Sequence, residues 1–184
     1  MKKTGSIASR ISVLSLTLAA LCSLAVAQHT MQPAGERNDN KLVQIVREAT
    51  KQYLDINNAM AAGYGPFLGC VSGSDHGAMG VHYVNSNLVN GTINATQPQA
   101  LIYEPSADGQ MKLVGVEFIT DQATWLKNNN NMPPVLEGQT FLLIDAPNRY
   151  GVPAPFYELH VWAWRDNPQG SFVDWNDHVS CAHQ

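Results

Sequence analysis

From residue 39 onward, apolar side chains recur at three- and four-residue steps: Leu42, Ile45, Val46, Ala49, Tyr53, Ile56, Ala59 and Met60. That spacing lays them along one stripe of a helix. Asp39 is placed to cap its start and Gly63 to end it, so the pattern predicts one long amphipathic helix over 40–62. After a stretch rich in Gly and Pro, 63–77, the period shortens. Segments 79–85 "MGVHYVN", 99–104 "QALIYE", 111–119 "MKLVGVEFI", 140–144 "TFLLI" and 156–164 "FYELHVWAW" are brief, carry β-branched and aromatic residues, and are bounded by turn formers. Each reads as a strand. "PSADGQM" predicts a hairpin through Asp108-Gly109, and "DQATWLK" a turn or two of helix. "NNNNMPPVLEGQ" and "DAPNRYGVPAP" read as surface loops. The fold expected over 39–184 is a single α+β domain, one long N-terminal helix packed on a mainly antiparallel sheet of about five strands.

The opening of the chain follows a different pattern. Lys2, Lys3 and Arg10 precede the apolar run "ISVLSLTLAALCSL", and Ala25-Val26-Ala27 supplies small residues for cleavage, so residues 1–27 read as a signal peptide. Residues 28–38 are polar, hold Pro33 and Gly35, and read as a flexible arm. The whole chain has 11 Lys and Arg against 15 Asp and Glu; the three signal-peptide cations leave 8 against 15, a mature net charge of −7. Such a balance disfavours nucleic acid and anionic membrane surfaces as partners, and tolerates cations. Stable membrane insertion is not expected, because the apolar run is short for a span.

Loss of Cys22 with the signal leaves Cys70 and Cys181, an even pair in an oxidising compartment, for which a disulfide is expected. Closing so long a loop stabilises by roughly 4 to 5 kcal/mol at most in the chain-entropy picture. Two free thiols, or two soft metal ligands, are the competing reading.

Three apolar strands each carry an ionisable side chain. "GVHYV" holds His82, "LVGVEFI" holds Glu117, and "YELHVWAW" holds His160, with Glu158 two residues earlier on the same face. A buried lone carboxylate costs several kcal/mol, on the order of 3 to 5, unless it is paired or binds a cation. The nearest basic residue, Lys112, falls on the opposite face of an ideal strand, so histidines from neighbouring strands are the expected partners of Glu117. Imidazoles with a carboxylate suit a divalent metal, here zinc, copper or manganese. His76, on the glycine-rich loop before the first strand, is a candidate fourth group. The competing reading leaves these residues on a wetted sheet face as a cross-strand pair, with His76 merely exposed.

Other features add little chemistry. A three-residue turn would place Glu104 opposite Lys112 as a surface ion pair, and an even-length loop would place it on the Glu117 face. His178 and His183 are expected to face solvent, and Trp162 either walls a pocket or packs in the core. No G-x-S-x-G elbow, phosphate loop, HExxH or CxxC occurs.

Taken together, "GAMGVHYVN", "QALIYEP", "LVGVEF", "YELHVWAW" and "NPQGSFVDWN" resemble a group of small secreted bacterial proteins of unassigned function, over residues 46–181. That resemblance implies export and a shared domain, and lends no catalytic residue. The order of helix then curved sheet is similar to cone-shaped folds of the nuclear transport factor 2 type, which implies a pocket between helix and sheet. The function expected is an exported domain whose pocket, lined by His82, Glu117 and His160, binds a divalent metal or small polar ligand, with metal-assisted hydrolysis or lyase chemistry as the enzymatic form. The alternative is a non-catalytic envelope binding or interaction module, with structural histidines and its tryptophans as contact surface.

Overall fold

The computed structural model describes residues 40–73 and 76–184. The expected signal peptide, the arm after it and Asp39 lie outside the described residues. The first helix, α1, spans Lys41–Thr50, and Asn40 rather than Asp39 caps it, its side chain accepting from the Leu42 amide at 2.9 Å. The long helix predicted over 40–62 is not formed. A single 3-10 turn follows at Lys51–Leu54, Asp55 is extended (φ −91°, ψ 113°), and a second helix, α2, runs Ile56–Ala61.

The interruption has local causes. Asp55 accepts from the Asn57 amide and so caps a new helix. The carbonyls released by the break are taken up by other donors: Tyr103 Oη donates to the Tyr53 carbonyl at 2.7 Å, and Asn58 Nδ2 to that of Gln52 at 2.9 Å. Restarting at Asp55 also resets the phase of the apolar stripe. Ala59 therefore reaches the core, whereas Met60, expected there, is 48% exposed. In α1 it is Leu42, Val43 and Val46 that are buried.

The sheet is antiparallel throughout and larger than expected. Its strands are β1 (Gly65–Pro66), β2 (Val71–Ser72), β3 (Ala78–Val84), β4 (Ala100–Pro105), β5 (Met111–Asp121), β8 (Leu142–Ile144) and β9 (Phe156–Val161). Their order is β1-β3-β4-β5-β9-β8, with β2 also paired to β3. A two-stranded hairpin, β6 (Val135–Leu136) and β7 (Gln139–Thr140), stands apart. The predicted helical turns form α3, Gln122–Asn128, capped by Asp121. Among the described residues no helix is long and apolar enough to cross a membrane.

Alternation along the strands gives the sheet two unlike faces. Leu101, Tyr103, Leu113, Val116, Phe118, Leu159 and Val161 pack with Leu42, Val43 and Val46 of α1 in the main core. Residues of opposite parity face away from the helix. Ala78, Ile102, Val114 and Trp162 form a smaller cluster there with Val179 of the C-terminal segment. That segment is held by backbone bonds between Asn176 and Ala78. Cys70 and Cys181 lie at disulfide distance, S–S 2.05 Å and Cα–Cα 5.6 Å, tying the segment to the loop after α2.

Candidate metal centre

On the face away from α1, β3 contributes His82, β5 Glu117, and β9 Glu158 and His160. Glu117 and His160 are direct cross-strand partners, and Glu117 is flanked on its other side by Ala100, itself paired with Val84. Strands lie about 4.8 Å apart, so a residue on β3 meets one on β5 only where the side chain between them is small. Ala100 provides that gap. His82 Nε2 reaches Glu117 Oε2 at 3.4 Å and His160 Nε2 at 3.4 Å. The expected cluster is thus assembled, and all three ligand atoms lie within 4.8 Å of one another.

The support around the rings fixes which nitrogen faces the cluster. His82 is hydrogen-bonded to the Gly80 backbone, and because Nε2 faces the cluster, Nδ1 is the nitrogen that donates. Gly80 has φ +95°, and a Cβ on it would lie 2.7 Å from the Tyr103 carbonyl oxygen. Only glycine allows this backbone to pass so close to β4. His160 stacks on Trp162, centroids 6.1 Å apart and planes 20° apart, while the Trp162 indole donates to the Val173 carbonyl at 2.6 Å. Trp162 is therefore a packing residue that orients a histidine. Trp164 donates to Thr50 Oγ1 at 3.0 Å, and Trp175 lies under the Arg149 guanidinium.

Burial decides the charge states. It pushes His82 down to about 4, with the Gly80 hydrogen bond opposing, and holds His160 well below the ordinary imidazole value, with His82 adding to the effect. It holds Glu117 well above the usual carboxylate range, reinforced by Glu158 and Asp174. It also raises Glu158 to about 7, with a hydrogen bond to Glu117 opposing and Asp174 adding. Without a cation, both imidazoles are therefore neutral at pH 7, and burial favours the protonated form of Glu117 and Glu158. A positive charge in its place would favour taking the proton off.

Three residues that sequence reasoning left out of the site belong to it. Glu158 was on the right face by alternation alone. Asp174, whose carboxyl lies 3.8 Å from His160 Nδ1, arrives on the C-terminal segment, and Tyr150 arrives on the loop before β9; neither has a periodic signal. His76 is a correction. It is exposed, and belongs neither to the cluster nor to the cavity wall.

Lys112 does not lie on the face opposite Glu117. The β4–β5 register slips between Ile102 and Tyr103, leaving Val114 as an extra residue. The slip turns Lys112 to the face of Glu117, but Lys112 is exposed and stands opposite Glu104. Glu104 bonds instead to the Ser180 amide at 2.9 Å and approaches Arg165 at 3.6 Å. His178 and His183 are exposed, as expected.

Above the cluster is a cavity of about 240 Å³. His82, Glu117, Glu158 and His160 form its floor, Leu68, Met79, Ile119, Val152 and Phe156 its walls, and Tyr150 its rim. It lies on the side of the sheet away from α1, not between helix and sheet as the cone-shaped analogy implied. Its lining is far less polar than expected. The buried His, Glu and Asp groups offer two overlapping sets able to hold a metal ion: His82, Glu117 and His160, and Glu158, His160 and Asp174. No family model matches the chain, and no curated protein or solved structure matches it.

Proposed function

We propose that this is an exported metal-binding domain in which His82 Nε2, His160 Nε2 and a Glu117 oxygen hold one divalent ion and leave a position open to the apolar cavity. One observation carries the reading: the two nitrogens are 3.4 Å apart and the oxygen is 3.4 Å from one of them. Ligands about 2.0–2.1 Å from zinc at tetrahedral angles are separated by about 3.3–3.4 Å. Hydrogen-bonded nitrogen and oxygen atoms usually approach closer, at about 2.7–3.2 Å. Neutral imidazoles suit zinc and copper better than manganese, and zinc is the ion expected. Its open position would activate a water for hydrolysis or elimination, on a small molecule with one polar end at the metal and an apolar body along Leu68, Ile119 and Phe156.

The indoles of Trp162 and Trp164 are taken up in internal hydrogen bonds, which favours this reading over a tryptophan-based contact surface. The test is zinc titration of metal-free, untagged protein by calorimetry, with elemental analysis of the purified form. Binding at this centre should be lost in His82→Ala. In Glu117→Gln it should weaken by at least the ~10- to 100-fold that even outer-sphere partners cost. Wild-type protein that takes up no zinc, copper or manganese would refute the reading.

A further inference from the structure

The far side of His160 repeats the arrangement of the near side. A ring nitrogen of His160, a Glu158 oxygen and an Asp174 oxygen lie within 4.8 Å of one another. Nδ1 stands 3.8 Å from Asp174 Oδ1, too far for a hydrogen bond. Both His160 Nδ1 and Glu158 Oε1 are buried without a hydrogen-bond partner, and each residue is only 2% exposed. Orphaned polar atoms this deep are uncommon and call for a specific occupant. Two of them belong here to residues of one cluster, with a second carboxylate, that of Asp174, beside them. The cavity lining holds carboxylates but neither lysine nor arginine to offset them.

We propose that Glu158, His160 and Asp174 hold a second divalent cation, with the His160 ring bridging the two ions through Nε2 and Nδ1. The inference shares His160 with the function proposed above but uses different carboxylates. Bridging requires the ring to give up its remaining proton to water as the second ion binds. The charges then cancel: three carboxylates and one imidazolate, four negative charges, meet two divalent ions, four positive. With a single ion the same pocket keeps uncompensated carboxylates in a poorly hydrated place, which is costly. The Asp174 side chain is 29% exposed, so the second ion has a route for exchange, whereas the first is enclosed by side chains no more than 9% exposed. The second ion should therefore leave first under a chelator.

Stoichiometry tests this directly. Untagged, metal-free protein titrated with zinc alone should bind two equivalents. Asp174→Asn should bind one and His82→Ala one, each variant checked for an unchanged fold by its melting temperature. Filled with copper(II) instead, the wild type should give the weakened, exchange-coupled spin-resonance signal of an imidazolate-bridged pair, and Asp174→Asn the signal of an isolated ion. Saturation of the wild type at one equivalent, lost in His82→Ala but kept in Asp174→Asn, would overturn the second ion while leaving the first centre standing. Two equivalents indifferent to both substitutions would overturn it as well, since the ions would then be on surface groups. No uptake would end both readings. Should Asp174→Asn fail to fold, an uncoupled copper signal in the wild type is by itself enough to overturn the bridge.

Discussion

At the scale of single residues, the metal-free protein should show an unusual dependence on pH. Burial raises Glu117 and Glu158 above the ordinary carboxyl value of 4.5, Glu158 to about 7. A raised carboxyl holds its proton more tightly folded than unfolded, so its contribution to stability is present at low pH and lost as pH rises through the folded value. His82 and His160 act in the opposite sense. Their values fall below the ordinary 6.5, His82 to about 4, so the fold loses stability as pH drops through that lower window. The unfolded imidazoles are half charged at 6.5 and drop out only above about pH 7.5. From about pH 7 to 8, as Glu158 completes the loss of its proton around its value of about 7, the melting temperature of metal-free protein should therefore fall, and Glu117→Gln, which keeps the shape without the charge, should flatten the slope. Saturating zinc should reverse it, because the ion stabilises the deprotonated ligands. A metal-free melting temperature that climbs across this window would show that the carboxylates are solvated after all.

At the scale of elements, the site depends on small residues in the strands between its ligands. Gly80→Ala should destabilise by about 1 to 3 kcal/mol, from a strained positive φ and contact with the β4 backbone. It should also weaken zinc binding by displacing the Gly80 carbonyl that orients His82; thermal melts and zinc titration of one preparation would read both effects. Much of this level was legible in the sequence. Strand alternation put Glu158 and His160 on a common face, the need of a buried Glu117 for partners pointed to the histidines, and hydrophobic runs located β3, β4, β5 and β9. Three features were not legible. Asp55 looks like any polar position of an amphipathic helix, and it becomes a cap only because Tyr103, about 50 residues away, receives the carbonyl the break releases. The slip at Val114 depends on how β4 and β5 fit, and a one-residue slip turns the side chains beyond it to the other face. Asp174 has no periodic neighbours at all and is placed by the packing of Val179 and the bond between Asn176 and Ala78.

At the scale of the molecule, the C-terminal segment is a strap across the face that carries the site, fastened at Cys181. Peptide mapping without reductant should recover Cys70 and Cys181 as one linked pair. Replacing both with serine should cost about 2 to 5 kcal/mol, read by denaturant unfolding, and should loosen the strap that holds Asp174. Two alkylatable thiols in protein isolated under non-reducing conditions would contradict the bridge. The order of the ligands along the chain carries a further consequence. They come from positions 82, 117, 158, 160 and 174, and the last strand to be made inserts between β5 and β8, beside partners made long before. Until the strand carrying His160 has been made, the set of His82, Glu117 and His160 is incomplete. On the proposed function, the ion would therefore be taken up only after that strand is in place, in the compartment where the chain folds.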